Sequence, residues 1–68
     1  MITPFKNKRI VLGVTGSISA YKSVELASKL AQAGALVDVI LTQAATQFVS
    51  PLTFQSVTGQ TAFTETDL

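Results

Sequence analysis

Two short apolar runs frame the first forty residues, and between them the spacing of apolar positions changes. Ile10, Val11, Leu12 and Val14 form the first run, bounded by Lys8 and Arg9 before it and by Thr15-Gly16-Ser17 after it. A run this short and this rich in β-branched residues predicts a strand buried on both faces, as in a parallel sheet. Residues 36–41, LVDVIL, predict a second strand interrupted by Asp38. Between the runs, Ala20, Val24, Ala27 and Ala31 fall on one stripe at helical spacing, flanked by Leu30. That stripe predicts a helix over residues 18–33, with Ser17 or Ser19 placed to cap it and Gly34 just past its end. Because the stripe is mostly alanine, the helix should approach its sheet closely. A right-handed crossover then makes the two strands parallel and adjacent, in a βαβ unit.

Thr42 ends the second strand, and residues 43–48, QAATQF, predict a short helical turn carrying Ala44, Ala45 and Phe48. Ser50-Pro51 restarts a helix, with serine as cap and proline at the first helical position. That helix should run to about Thr58 and stop at Gly59. Residues 60–64 suggest another extended segment, followed by the polar tail TETDL. Repeats, linkers and low-complexity tracts are absent from the sequence.

Composition narrows the chemistry. The chain has 68 residues, a formal charge of +1, 47% hydrophobic residues, and no cysteine, histidine or tryptophan. Disulfides, thiolate metal sites, imidazole bases and the commonest zinc ligand are thereby excluded. The basic N-terminus precedes an apolar run that breaks at Gly13 and Gly16, too short for a signal peptide or a membrane span. Five basic and four acidic residues are scattered, which gives no nucleic-acid surface. Lys6, Lys8 and Arg9 read as a solvated strand entry. A chain this small buries only about 60% of its unfolded surface. Residues 1–68 are therefore expected to be one incomplete α/β domain, or a chain that borrows core from neighbours.

The candidate chemistry lies in residues 8–22, KRIVLGVTGSISAYK, which pass from strand through a glycine turn into helix. The unpaired N–H groups and positive dipole end of that helix favour an anion over the carboxyl edge of the sheet. Three phosphate loops compete. A P-loop requires glycine before its lysine, but Tyr21 stands there before Lys22-Ser23, and tyrosine neither takes glycine's backbone angles nor allows close phosphate approach. A dinucleotide fold requires two later glycines, replaced by Ala20 and Lys22, and an acid at the end of strand two, where Thr42 stands. Asp38 lies too early and reads as a strand-edge or capping partner, which leaves an NAD(P)-binding dehydrogenase as the alternative. A mononucleotide phosphate fits better, with amides and hydroxyls from Gly16, Ser17, Ile18 and Ser19 and a hydroxyl from Thr42. Equally open on the residues alone, Ser17, Ser19 and Thr42 do no more than cap their own turns.

KRIVLGVTGSISAYKSVELASKL, followed by LVDVILTQAATQFVSPLTFQSVTGQ, resembles the N-terminal part of the flavin domain of phosphopantothenoylcysteine decarboxylases. These belong to the homo-oligomeric flavin-containing cysteine decarboxylases. The GSISAYK turn, the strand ending in threonine and the FVSPLTFQSVTG helix carry the likeness together. The resemblance implies the N-terminal part of a Rossmann-like, flavodoxin-type three-layer parallel sheet that binds FMN, with residues 1–68 as an incomplete portion of one flavoprotein domain. It implies FMN contacts at Gly16, Ser17, Ile18, Ser19 and Thr42, and a looser flavin contact at Phe48. Lys22 reads equally as a solvated or ion-paired lysine, and Phe54 and Val57 as core or subunit contact. The implied reaction oxidises a cysteinyl thiol to a thioaldehyde, which acts as electron sink while the carboxylate leaves, and reduced FMN then returns the electrons to give phosphopantetheine. A cytoplasmic homotrimer or dodecamer acting on phosphopantothenoylcysteine, away from membranes and nucleic acid, is expected. An alternative is a noncatalytic piece that contributes only to oligomer contact. No catalytic residue is assigned, because the family's active-site histidine and its asparagine motif fall beyond Leu68, and the 68-residue chain alone is expected to be inactive.

Overall fold

β1 (Arg9–Val14) and β2 (Leu36–Leu41) lie side by side and parallel, with Arg9 opposite Leu36 and Val14 opposite Leu41. The computed structural model describes residues 5–67; residues 1–4 and Leu68, the last residue of the polar tail, lie outside the described residues. Between the strands runs α1 (Ala20–Gln32), and after β2 come a 3-10 turn (Ala45–Gln47), α2 (Pro51–Thr58), the two-residue β3 (Phe63–Thr64) and a second 3-10 turn (Glu65–Asp67). β3 pairs parallel to β2, Ile40 opposite Phe63, so the sheet order is β1-β2-β3. This is the 3-2-1 half of a Rossmann sheet, whereas the flavodoxin order sets the first strand between the second and the third.

Alternation along the strands decides where the core sits. Val37, Val39 and Leu41 are at most 1% exposed, and beside them Ile10, Leu12 and Val14 point to the same face. Two right-handed crossovers running in the same direction place α1 and α2 together on that face, where the two helices pack against each other. Ala20 and Ala27 are fully buried, and Val24, Leu30 and Ala31 pack beside them, as the alanine stripe requires. Phe54 of α2 is the largest fully buried side chain, and Val57 packs against the same core.

On the opposite face the described residues leave Val11 65% exposed and Phe63 37% exposed. Burial on both faces was the expectation for the first strand. Two of the three expected layers are formed by the described residues, because both crossovers deliver their helices to one side. Arg9 and Asp38 share the open face, with Arg9 Nη1 donating to Asp38 Oδ2 at 2.6 Å. Asp38 was expected as a strand-edge or capping partner; it lies instead in the central strand and is the cross-strand ion-pair partner of Arg9, and Lys6 and Lys8 are exposed.

Helix ends follow local chemistry. α1 closes in a Schellman motif: the Gly34 amide donates to the Ala31 carbonyl, the Ala35 amide donates to the Leu30 carbonyl, and Gly34 takes φ 97°. At α2, Ser50 Oγ accepts from the Leu52 amide at 3.0 Å, Pro51 opens the helix, and Gly59 ends it at φ 72°.

Candidate functional site

The carboxyl edge of the sheet gathers the turn after β1 and the turn after β2. Val14 and Leu41 are in register, and the Thr42 amide donates to the Val14 carbonyl at 2.9 Å, so the two strand tips are tied together. Ala44 then folds back onto Gly16. A Cβ on Gly16 would stand 2.9 Å from the Ala44 carbonyl carbon, a separation that real side chains do not tolerate. Glycine is required here by close approach, and its backbone does not take a positive φ.

The start of α1 differs from its sequence reading in a way that bears on the site. Residues 17–20 form a tight turn before the helix, with the Ala20 amide donating to the Ser17 carbonyl and the Tyr21 amide to the Ile18 carbonyl. The helix therefore begins at Ala20 instead of Ile18. Ser19 occupies the cap position with helical backbone angles and makes no side-chain capping bond. Ser17 Oγ instead accepts from the Ser19 amide at 3.2 Å and touches Ser19 Oγ.

Counting amides separates the four candidate positions. The Ser17 amide donates to the Thr15 carbonyl, and the Ser19 amide is taken by Ser17 Oγ. Among the described residues, the Gly16 and Ile18 amides donate to no protein acceptor. They alternate along the turn, two residues apart, at the positive end of a 13-residue helix with no acidic residue in its first turn. An oxyanion here would meet two unclaimed N–H donors, the helix dipole and the Ser17 and Ser19 hydroxyls.

Thr42 contributes from the neighbouring tip. Its Oγ1 accepts from the Ala45 amide at 3.2 Å, so it does cap its own turn. A hydroxyl also carries one proton to donate, and among the described residues that proton has no acceptor. Capping and ligand contact are therefore compatible in this residue. The fit to a flavin mononucleotide phosphate rests on these observations: two unpaired amides and three hydroxyls, gathered at one edge by the close packing of Ala44 on Gly16.

Phe48 is partly exposed, and its ring packs edge-on against Tyr21 with centroids 6.4 Å apart. Tyr21, Ile18, Ser19, Lys22 and Glu25 line an open groove of about 630 Å³ beside the first turns of α1. Tyr21, which in the sequence stands only where a P-loop glycine would be, is thus part of this edge of the site. Lys22 is exposed on this groove and makes no ion pair among the described residues. Glu25 pairs with Lys29 at 3.1 Å, and the hydrogen bond and charge of Lys29, with a further contribution from Lys22, hold its carboxyl below the usual value.

The strand order and the glycine turn at the carboxyl edge together define a Rossmann-like α/β protein. Residues 3–68 match the family model described as Flavoprotein, and the chain belongs to that family. The coenzyme A biosynthesis bifunctional protein CoaBC of Bacillus subtilis is 50% identical over 60 residues, covering 88% of this chain and 15% of that protein. CoaBC of Escherichia coli is 52% identical over 52 residues, 76% of this chain and 13% of that protein. The chain thus spans about one seventh of the length of these relatives. Among solved structures, the cypemycin decarboxylase CypD superposes with a TM-score of 0.76 at 24% identity, covering 94% of this chain and 38% of that one. HAL3 from Cryptococcus neoformans gives 0.65 at 27% identity, covering 75% and 27%. The FMN-dependent cysteine decarboxylase TvaF gives 0.73 at 24%, covering 85% and 35%.

Proposed function

We propose that this chain supplies the phosphate-binding part of an FMN site in an enzyme that decarboxylates phosphopantothenoylcysteine to phosphopantetheine in coenzyme A biosynthesis. The observation that carries the reading is the pair of unpaired Gly16 and Ile18 amides at the start of α1, closed on one side by the Thr42 turn. The chain's family membership and its likeness to CoaBC support this choice of substrate class.

In this reading the Gly16 and Ile18 amides bind two phosphate oxygens, and the Ser17, Ser19 and Thr42 hydroxyls bind the remainder and the adjoining ribityl chain. Phe48, steadied by Tyr21, borders the path toward the ring system. FMN, when bound, supplies the electron acceptance and return that the decarboxylation of a cysteinyl group needs. With neither histidine nor cysteine in the sequence, these 68 residues bind and orient; they carry no imidazole or thiol for proton transfer. A small acid substrate, a homotrimeric or dodecameric assembly and a cytoplasmic setting belong to the same proposal.

A nicotinamide dinucleotide is the competing ligand. It is disfavoured because the only acid in β2, Asp38, points to the open sheet face and is bound to Arg9. The test is to incubate the purified chain with FMN or NADPH, desalt it, and record the visible and near-ultraviolet absorbance. Retained flavin is expected; retained NADPH without flavin would replace this reading by the dehydrogenase one.

A further inference from the structure

Turn 42–46 carries Thr42 and presses Ala44 onto Gly16; the Thr42 amide on the Val14 carbonyl and the buried Ala45 anchor two of its residues, which leaves Gln43 on the outside of the turn. Its internal bonds close it on itself: Thr46 Oγ1 donates to the Gln43 carbonyl at 2.5 Å, and the Thr46 amide donates to the Thr42 and Gln43 carbonyls. A further tie, from the other side, comes from Glu65, whose Oε1 accepts from the Gln43 amide at 2.5 Å. Glu65 is itself set by its surroundings. In the turn that carries it, Asp67 Oδ2 accepts from the Thr64 amide at 2.8 Å and from Thr64 Oγ1 at 3.1 Å, and Thr64 Oγ1 contacts Thr66 Oγ1. A polar hollow of about 190 Å³ lined by Gln43, Thr46, Thr64, Glu65 and Thr66 separates the two turns.

We propose that Glu65 is a positioning residue for the anion-binding edge: its carboxylate holds the Gln43 amide and so keeps Thr42 and Ala44 in place against Gly16. The inference rests on the FMN reading above for its ligand. A carboxylate accepting from a backbone N–H is among the stronger hydrogen bonds available to a loop. It also supplies, from beyond β3, an acid at the strand-two tip where the sequence itself has Thr42. That acid is engaged with the backbone and serves the turn.

The test uses the full chain with Glu65→Ala, Glu65→Gln and Glu65→Asp. Amide hydrogen exchange is followed without flavin, and FMN affinity by quenching of flavin fluorescence. Glu65→Ala should speed exchange at Gln43 and weaken FMN, each by about tenfold, as loss of one charge-assisted bond implies. Glu65→Gln, which keeps an oxygen at the same reach, should restore most of both, and Glu65→Asp, one methylene shorter, should behave like alanine. Rescue by glutamine but not by aspartate separates positioning from a general loss of stability. Unchanged Gln43 exchange in Glu65→Ala, or lost protection with unchanged FMN affinity, would overturn the proposal. Should the wild-type chain bind no FMN, the flavin reading falls, while exchange at Gln43 and Ala45 still decides whether Glu65 holds the turn.

Discussion

Ala44 packs against Gly16 so closely that a single methyl group at Gly16 has no room, with the Ala44 carbonyl carbon 2.9 Å from where it would stand. The contact joins the turn after β1 to the turn after β2 and keeps the two halves of the proposed anion site together. Gly16→Ala is therefore expected to push turn 42–46 outward. Overpacking of this kind costs about 1–3 kcal/mol. Urea unfolding should show that loss, and FMN affinity should fall with it.

Thr42 divides its hydroxyl between a bond accepted from the Ala45 amide and a proton available to a ligand. Thr42→Val keeps the shape and removes both. It is expected to cost about 1–3 kcal/mol in stability, since it strands a part-buried N–H, and to weaken FMN. Thr42→Ser, which keeps the hydroxyl, should retain most of each. Parallel denaturant melts and flavin titrations of the two variants check this.

Stability of the chain turns on very few large side chains. Phe54→Ala removes the largest fully buried one, at a typical cost of about 3–5 kcal/mol. A domain of this length has about 3–10 kcal/mol in all. The variant is expected to lose cooperative thermal unfolding by circular dichroism. Ser50→Ala, which deletes the α2 cap, should instead cost about 1 kcal/mol and leave a cooperative transition.

Those helix ends were legible in the sequence because each is set within a few residues. Ser50-Pro51, Gly59 and Gly34 fell where the chain pattern put them, and the alanine stripe correctly marked the buried side of α1. The start of α1 was less legible: three serines and threonines near Gly16 compete for the same amides, and only the fold shows Ser17 taking the Ser19 amide and leaving Ile18 unclaimed. The parallel adjacency of β1 and β2 was legible from the crossover, whereas the place of β3 was not, because β3 is two residues long and is recognised by its pairing with Ile40 and Leu41. The Glu65 contact joins residues 22 apart through a backbone amide, which leaves no residue-type signal at Gln43.

Glu25 gives a pH dependence of known sign. Its carboxyl titrates below the ordinary range in the folded chain because Lys29 bonds and faces it, with Lys22 adding to the effect. The pair's contribution is thus fully present above the ordinary glutamate range and is lost as pH falls through the lowered folded value. Glu25→Gln should flatten this small acid-side decline in melting temperature at low ionic strength. Added salt should shrink the difference between variant and wild type, since the pair is fully exposed to solvent.

The most direct measurement follows the backbone amide resonances of the nitrogen-15-labelled chain as FMN is added, with riboflavin, which lacks the phosphate, as the control. The Gly16 and Ile18 amide protons are expected to move downfield with FMN and to stay in place with riboflavin, since both lack a protein acceptor among the described residues and are the donors proposed for the phosphate. Binding of FMN that leaves these two resonances unmoved, or equal shifts with riboflavin, would contradict a phosphate site at the start of α1.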